Sequence, residues 1–179
     1  MIVLLSGERR VGKSTVCQKL MEIAGRRGKS VGGLLSVALF DDEGEKTGIK
    51  LLDPCTGAEH LLASIRNRLS GPQVGVYHMS AEALQWGTEL GLAAFESEFD
   101  LIVIDELGPL ELLRGEGFAG VLPALYAATD DDCLIVVRPE LIDELEGRLK
   151  SRHVIRCIVT PDNRDGAPCK LAQVLWGEA

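Results

Sequence analysis

The stretch GERRVGKST, Gly7 to Thr15, closes with a glycine, a lysine and two hydroxyls. Its pattern, G-x-x-x-x-G-K-[ST], is that of a loop whose main-chain N–H groups turn inward around an anion. Glycine lets the chain take that shape, and a helix opening at its end adds free donors and the positive end of a dipole. In such a loop Lys13 supplies charge to the β- and γ-phosphates of a nucleotide, and the Ser14 hydroxyl takes one position on a magnesium ion. The candidate nucleotide-binding set is Gly7, Glu8, Arg9, Arg10, Val11, Gly12, Lys13, Ser14 and Thr15. Glu8 brings a carboxylate into a loop meant for an anion. Arg9 and Arg10 either offset it and steer nucleotide inward, or are solvated loop charges.

A second stretch, LIVIDELGPLEL, places Asp105 and Glu106 where an apolar run ends. In open α/β sheets ligands bind outside the carboxyl ends of the strands. Asp105 is the candidate magnesium residue, since Mg²⁺ takes few carboxylates and keeps several waters. Glu106, beside it, is the candidate to polarise a water for in-line attack on the γ-phosphorus. The chemistry expected is therefore hydrolysis, with Lys13 and Glu106 as the catalytic pair. The competing reading is that the two acids begin a surface loop. Glu111, beyond Gly108-Pro109, either faces the phosphates or caps the next helix.

These residues need elements to hold them. MIVLL is a short continuous apolar run ending at Ser6-Gly7, the pattern of a strand buried on both faces. After the glycine loop, Val16, Leu20, Ile23 and Ala24 recur at helical spacing until Gly25 and Gly28 stop them. From Val31 to Met79 the chain breaks into β-like pieces, GGLLSVALF, TGIKLLD, EHLLASI and VGVYHM, separated by turn-forming DDEGEK and DPCTG. Ser80 can cap a helix through Leu84, Leu90 and Phe95, which Gly87 and Gly91 weaken.

DLIVIDELG, CLIVVRP and HVIRCIVT read as further buried strands. GFAGVLPALYAAT and ELIDELEGRLKSR between them read as helices, the first with Pro123 as a kink or a late start. Alternating strands and helices imply an α/β fold, a sheet with helices on both faces. No repeat, low-complexity tract or linker interrupts the text, so residues 1–179 are expected to form a single domain, with a β-rich hairpin excursion over 31–79.

The composition narrows the partners. A net charge of −8 repels polyanions, so nucleic acid is not an expected partner. No apolar stretch reaches the roughly 20 residues that span a bilayer, and no signal sequence is recognisable, so a cytoplasmic location is expected. Cys17, Cys55, Cys133, Cys157 and Cys169 form no CxxC pair, against a zinc knuckle or redox motif. Cys133 and Cys157 read as core residues. His60, His78 and His153 are isolated and are read as structural or surface residues.

GERRVGKST, VGGLLS, DLIVIDELGPLEL and VTPDNRD, in that order, resemble the small P-loop nucleoside triphosphatases of the thermophile type, to which the human cancer-related NTPase is related. The resemblance covers nearly the whole chain, and VIDELGPLEL is its most specific part. It implies a RecA/ASCE-like P-loop fold, a three-layer sandwich on a mostly parallel sheet. It also implies magnesium-dependent hydrolysis of ATP, GTP and other nucleoside triphosphates with broad base tolerance.

The chain departs from the family where Pro-Gly is replaced by Arg9-Arg10. It departs again at Arg138-Pro139, where relatives often have a His followed by basic residues. Arg138 is either a sensor of the γ-phosphate or a surface cation beside a loop proline. TPDNRD follows the last predicted strand and in such a sheet lies near the first loop. Asn163 and Arg164 there either meet the base or only form a polar turn.

Two other fates for the γ-phosphoryl group stay open. In a nucleotide or small-metabolite kinase, the 31–79 region covers an acceptor. Kinases bring several arginines over the phosphates, whereas PELIDELEGRLKSR is mostly acidic, with Arg148 and Arg152 only near its end. In a nucleotide-dependent switch, slow hydrolysis times the binding of a protein partner.

Overall fold

The computed structural model describes residues 1–149 and 153–177. Nine strands form one sheet: β1 (Ile2–Gly7), β2 (Val31–Phe40), β3 (Lys46–Leu52), β4 (Glu59–Ser64), β5 (Gln73–Val74), β6 (Tyr77–Met79), β7 (Leu101–Leu107), β8 (Cys133–Val137) and β9 (Val154–Val159). Their order across the sheet is β5-β6-β4-β3-β2-β7-β8-β1-β9. From β2 to β9 every pairing is parallel, and from β2 to β5 every pairing is antiparallel.

The parallel half forms because its inner strands are apolar on both faces and helices cover both; β9, expected from HVIRCIVT to be a buried strand, is the sheet's edge and only partly buried, with Arg156 and Ile158 exposed and Cys157 half-covered. Helix α1 (Lys13–Arg26) packs with the C-terminal helix α6 (Ala167–Trp176) on one face, where Val16, Cys17 and Leu20 meet Val3, Leu5, Val103, Val136, Leu171 and Ala172. On the other face lie α2 (Ala81–Phe95), α3 (Pro109–Leu112), α4 (Leu122–Ala127) and α5 (Ile142–Arg148). Their Val121, Leu125 and Leu145 neighbourhood closes on Ile2, Leu4, Ile102, Ile104 and Ile135. Ile102 and Ile104 are fully buried, and each such side chain contributes roughly 2 kcal/mol over leaving it in water. The structure is thus the three-layer α/β sandwich on a mostly parallel sheet that the sequence implied.

Helix α2 begins where expected, with the Ser80 hydroxyl accepting a bond from the Ala83 N–H at 3.1 Å. Its glycines answer a packing need. A Cβ on Gly87 would stand 2.5 Å from both Leu51 Cδ2 and Phe118 Cε1, and one on Gly91 would stand 2.6 Å from Val121 Cγ2. The helix surrenders propensity at those positions to lie close on the sheet.

Three expectations change in detail. GFAGVLPALYAAT is helical only over α4, preceded by a 3₁₀ turn at Ala119–Val121, so Pro123 marks a late start. VGVYHM divides between β5 and β6, which pair across a Gly75-Val76 turn with Gly75 at φ 60°. The excursion boundary shifts too, because β2 belongs to both halves. Val31–Leu34 pair with β7, and Leu35–Phe40 continue beyond that partner to pair with β3. Arg148 donates to Glu144 and to the Leu112 carbonyl, a role in packing α5; Arg152 and the end of its predicted helix lie outside the described residues.

Candidate active site

The phosphate loop joins β1 to α1 at the C-terminal edge of the parallel half. Val159 on β9 pairs with Gly7, and a Cβ on Gly7 would approach the Val159 carbonyl oxygen to 2.5 Å. Gly12 takes φ 107° at the start of α1, a conformation L side chains rarely adopt. Between them Arg10 adopts φ 64°, an uncommon state for a residue with a side chain. Val11 turns its side chain into the core, so it can offer a ligand only its backbone. Glu8, Arg9, Arg10 and Thr15 have exposed side chains. The Lys13 ammonium donates to the carbonyl oxygens of Gly7 at 2.7 Å and Glu8 at 3.0 Å, which holds it over the loop.

Asp105 arrives from β7, although β8 separates that strand from β1. The Ser14 hydroxyl donates to its Oδ2 at 3.4 Å, joining residues 91 positions apart. Ser36 on β2 fixes it from the other side, its N–H donating to Oδ2 at 3.2 Å and its hydroxyl donating to the Asp105 carbonyl at 2.9 Å. Only 2 % of Asp105 is exposed. Burial first, and the neighbouring Glu106 carboxylate second, push its pKa up from 3.8 to about 7, against the lowering effect of the Ser36 N–H, the Ser14 hydroxyl and Lys13. A buried carboxylate beside a hydroxyl and short of positive charge suits Mg²⁺, a hard ion that takes oxygen ligands and keeps several of its waters.

Glu106 has the opposite surroundings. The register of β7 against β8 shifts between Asp105 and Leu107, which turns Glu106 out of the covered layer. Its side chain is exposed at the sheet edge, where it accepts from Arg138 Nε at 3.0 Å. Arg138 therefore stands at the end of β8 in contact with the candidate base.

Glu111 is resolved as a cap. Its Oε2 accepts from the Gly108 N–H at 2.9 Å, where α3 begins, and its Oε1 accepts from the Phe118 N–H at 3.3 Å. Burial raises its pKa while those two N–H groups lower it.

The loop after β9 does lie against the phosphate loop, since a Cβ on Gly12 would come within 3.3 Å of Arg164 Cδ. Of the two readings open for Asn163, a base contact or a polar turn, its hydrogen bonds match the polar turn. Its side-chain oxygen accepts from Thr160 N–H at 2.9 Å and its amide donates to the Ile158 carbonyl at 2.8 Å, so its polar atoms close their own turn. Of the histidines, His60 lies against Trp86 with ring centres 4.3 Å apart.

Two residues near the site carry no chemical signal in their own spacing, although Ser36 closes the VGGLLS stretch on which the family resemblance partly rests. Ser36 is one serine within an apolar strand, and Lys46 sits in a charged run that reads as a turn. A cavity of about 550 Å³ lies at the N-terminal edge, lined by Lys29, Asp100, Asp132 and Trp176 among others, and contains none of the residues above.

A family model described as NTPase matches residues 2–172. Nucleoside-triphosphatase THEP1 of Methanosarcina barkeri is 35% identical over 173 residues, covering 95% of this chain and 94% of its own. The THEP1 of Thermofilum pendens is 33% identical over 174 residues, covering 95% and 92%. Among solved structures, a human cancer-related nucleoside triphosphatase superposes with TM-score 0.73 at 20% identity, covering 99% of this chain and 98% of its own. THEP1 from Aquifex aeolicus superposes with TM-score 0.66 at 19% identity, covering 98% and 99%.

Proposed function

Because the chain belongs to the NTPase family, the family of the THEP1 nucleoside-triphosphatases, we propose that it hydrolyses nucleoside 5′-triphosphates to the diphosphate and inorganic phosphate, with Mg²⁺ and little regard for the base. The observation that carries this reading is the convergence of Ser14 and Asp105, 3.4 Å apart, beneath a lysine-bearing glycine loop, with Glu106 one residue away and open to solvent.

The loop amides and Lys13 bind the triphosphate, and Ser14 and Asp105 would hold the magnesium ion. Such an ion neutralises charge between the β- and γ-phosphates. Glu106 orients the attacking water and takes its proton as the bridge from β- to γ-phosphorus breaks toward the diphosphate. Arg138, bonded to Glu106, couples that carboxylate to the arriving γ-phosphate. Broad base acceptance is supported by what flanks the loop: an exposed arginine, Arg164, whose plane can stack on any ring, beside an asparagine closed on its own turn. We take the chain as one domain working in the cytoplasm, a location supported by five cysteines that form no disulfide.

The test is phosphate release from ATP, GTP and CTP with magnesium, with and without candidate acceptors, by the unaltered protein and by Glu106→Gln. The three nucleotides should release phosphate at comparable rates without an acceptor. Glu106→Gln should retain MgATP binding and lose roughly 10²- to 10⁴-fold in turnover. Equal turnover by the variant would remove Glu106 as the base, and transfer to an acceptor in place of release would make the protein a kinase.

A further inference from the structure

The antiparallel insert bears directly on the phosphate site. Strand β2 leaves β7 after the Leu34–Ile104 pair, and its remaining residues, paired with β3, project past the edge at which Asp105 and Glu106 lie. Ser36 pins the base of that projection to Asp105. At its far end Lys46 opens β3 opposite Phe40.

The surroundings of Lys46 are unusual for a lysine of this molecule. Lys29 and Lys50 each pair with a carboxylate, Asp100 and Glu59. The Lys46 ammonium makes no hydrogen bond or ion pair among the described residues; it stands 5.5 Å from the centre of the Tyr77 ring. The side chain is half-buried, and burial lowers its pKa. The charges it feels are those of Glu106, Arg10 and Asp105, all at the phosphate site and all distant in sequence. A half-buried cation that no carboxylate reaches in a direct ion pair is incompletely neutralised until an anion arrives. At this edge the arriving anion is the triphosphate.

We propose that Lys46, carried by the inserted sheet, is a second cation on the nucleotide's terminal phosphate, beside Lys13. The inference rests on the nucleoside-triphosphatase reading and deepens it: the insert becomes part of the site and distinguishes triphosphate from diphosphate. Tyr77 keeps the ammonium directed at the edge without neutralising it, as an aromatic face does.

The test is to compare the unaltered protein with Lys46→Met, Lys46→Gln and Lys46→Arg, measuring phosphate release and the affinities for MgADP and for a non-hydrolysable MgATP analogue. Removing the charge should lower turnover 10- to 100-fold and triphosphate affinity about tenfold, with MgADP affinity changed less than twofold. Lys46→Arg should restore most of the triphosphate preference. Unchanged turnover and preference in both neutral variants would overturn the proposal, as would an equal loss for MgADP and the triphosphate, which marks a general disturbance of the loop. Failure of the unaltered protein to bind or hydrolyse any triphosphate would sink the underlying reading as well, and so is told apart from a failure confined to Lys46.

Discussion

Strands β1 and β8 are buried at every position and β7 at all but Glu106, whereas no strand from β3 to β6 is buried throughout. Phe40, Leu61, Ile65 and Val76 stand exposed in the insert region. The parallel half is a frame covered by helices on both faces, and the phosphate loop, Asp105 and Glu106 all project from one edge of it. The antiparallel half touches that frame at a few seams, among them Ser36 on Asp105 and Leu51 against Gly87. On the proposed function the frame fixes where the chemistry occurs, and on the inference about Lys46 the insert adjusts what reaches it. Changes in the frame should consequently have large effects, and changes at the seams should act more modestly and on stability.

The largest effect expected is at Asp105. Its folded pKa of about 7 lies above the ordinary 3.8, so the folded chain holds a proton that the unfolded chain has lost across that interval. The stability from this group is complete below pH 4 and is lost as pH rises toward 7, a difference of about 4 kcal/mol at most. Asp105→Asn removes the titration. Urea unfolding in the presence of a chelator should show the variant gaining on the unaltered protein between pH 5 and pH 8. Parallel pH profiles would show that Asp105 is better solvated than its position implies. Lys13→Ala comes next: titration calorimetry should find MgATP binding weakened roughly 100-fold, with the fold unchanged. A loss below threefold would mean that the backbone cradle binds the triphosphate by itself.

The seam between the halves should respond more modestly. Gly87→Ala adds a methyl 2.5 Å from side chains of Leu51 and Phe118. The overpacking costs about 2 kcal/mol and the gain in helix propensity returns about 1 kcal/mol, so the urea midpoint should fall slightly while phosphate release persists. A higher midpoint would show that propensity outweighs packing there and that the insert sits loosely on the frame.

The frame was also the more legible half. MIVLL, LIVID and CLIVV are apolar without alternation, which is what a strand covered on both sides requires, and the phosphate loop is fixed by spacing. In the insert, partly exposed strands give no clean period, so VGVYHM reads as one strand although it turns at Gly75. Helix α6 is legible in principle, since Leu171, Ala172 and Leu175 recur at helical spacing after Pro168, but it follows a polar turn and carries no motif. Gly87 and Gly91 read as weakness because a sequence does not show what a glycine packs against. Glu111 and Asn163 are ambiguous for a shared reason. A carboxylate or amide that closes its own turn has the same letters as one that waits for a ligand, and only the positions of Gly108, Phe118, Thr160 and Ile158 separate the two.

The smallest effect concerns the departure from the family's loop. Arg10 stands at φ 64°, where an L side chain costs on the order of 1 kcal/mol and glycine costs little. Glycine also leaves the unfolded chain more entropy to lose, which offsets part of the relief. Arg10→Gly should therefore raise unfolding stability by roughly 0.5 kcal/mol, and Arg10→Val, β-branched and ill suited to positive φ, should lower it by about 1 kcal/mol. Chemical denaturation of the two variants decides the matter by their order. If valine proves as stable as glycine, the loop relaxes at no cost, and the rigidity ascribed to the frame ends at Ser6, before the amides proposed to grip the phosphates.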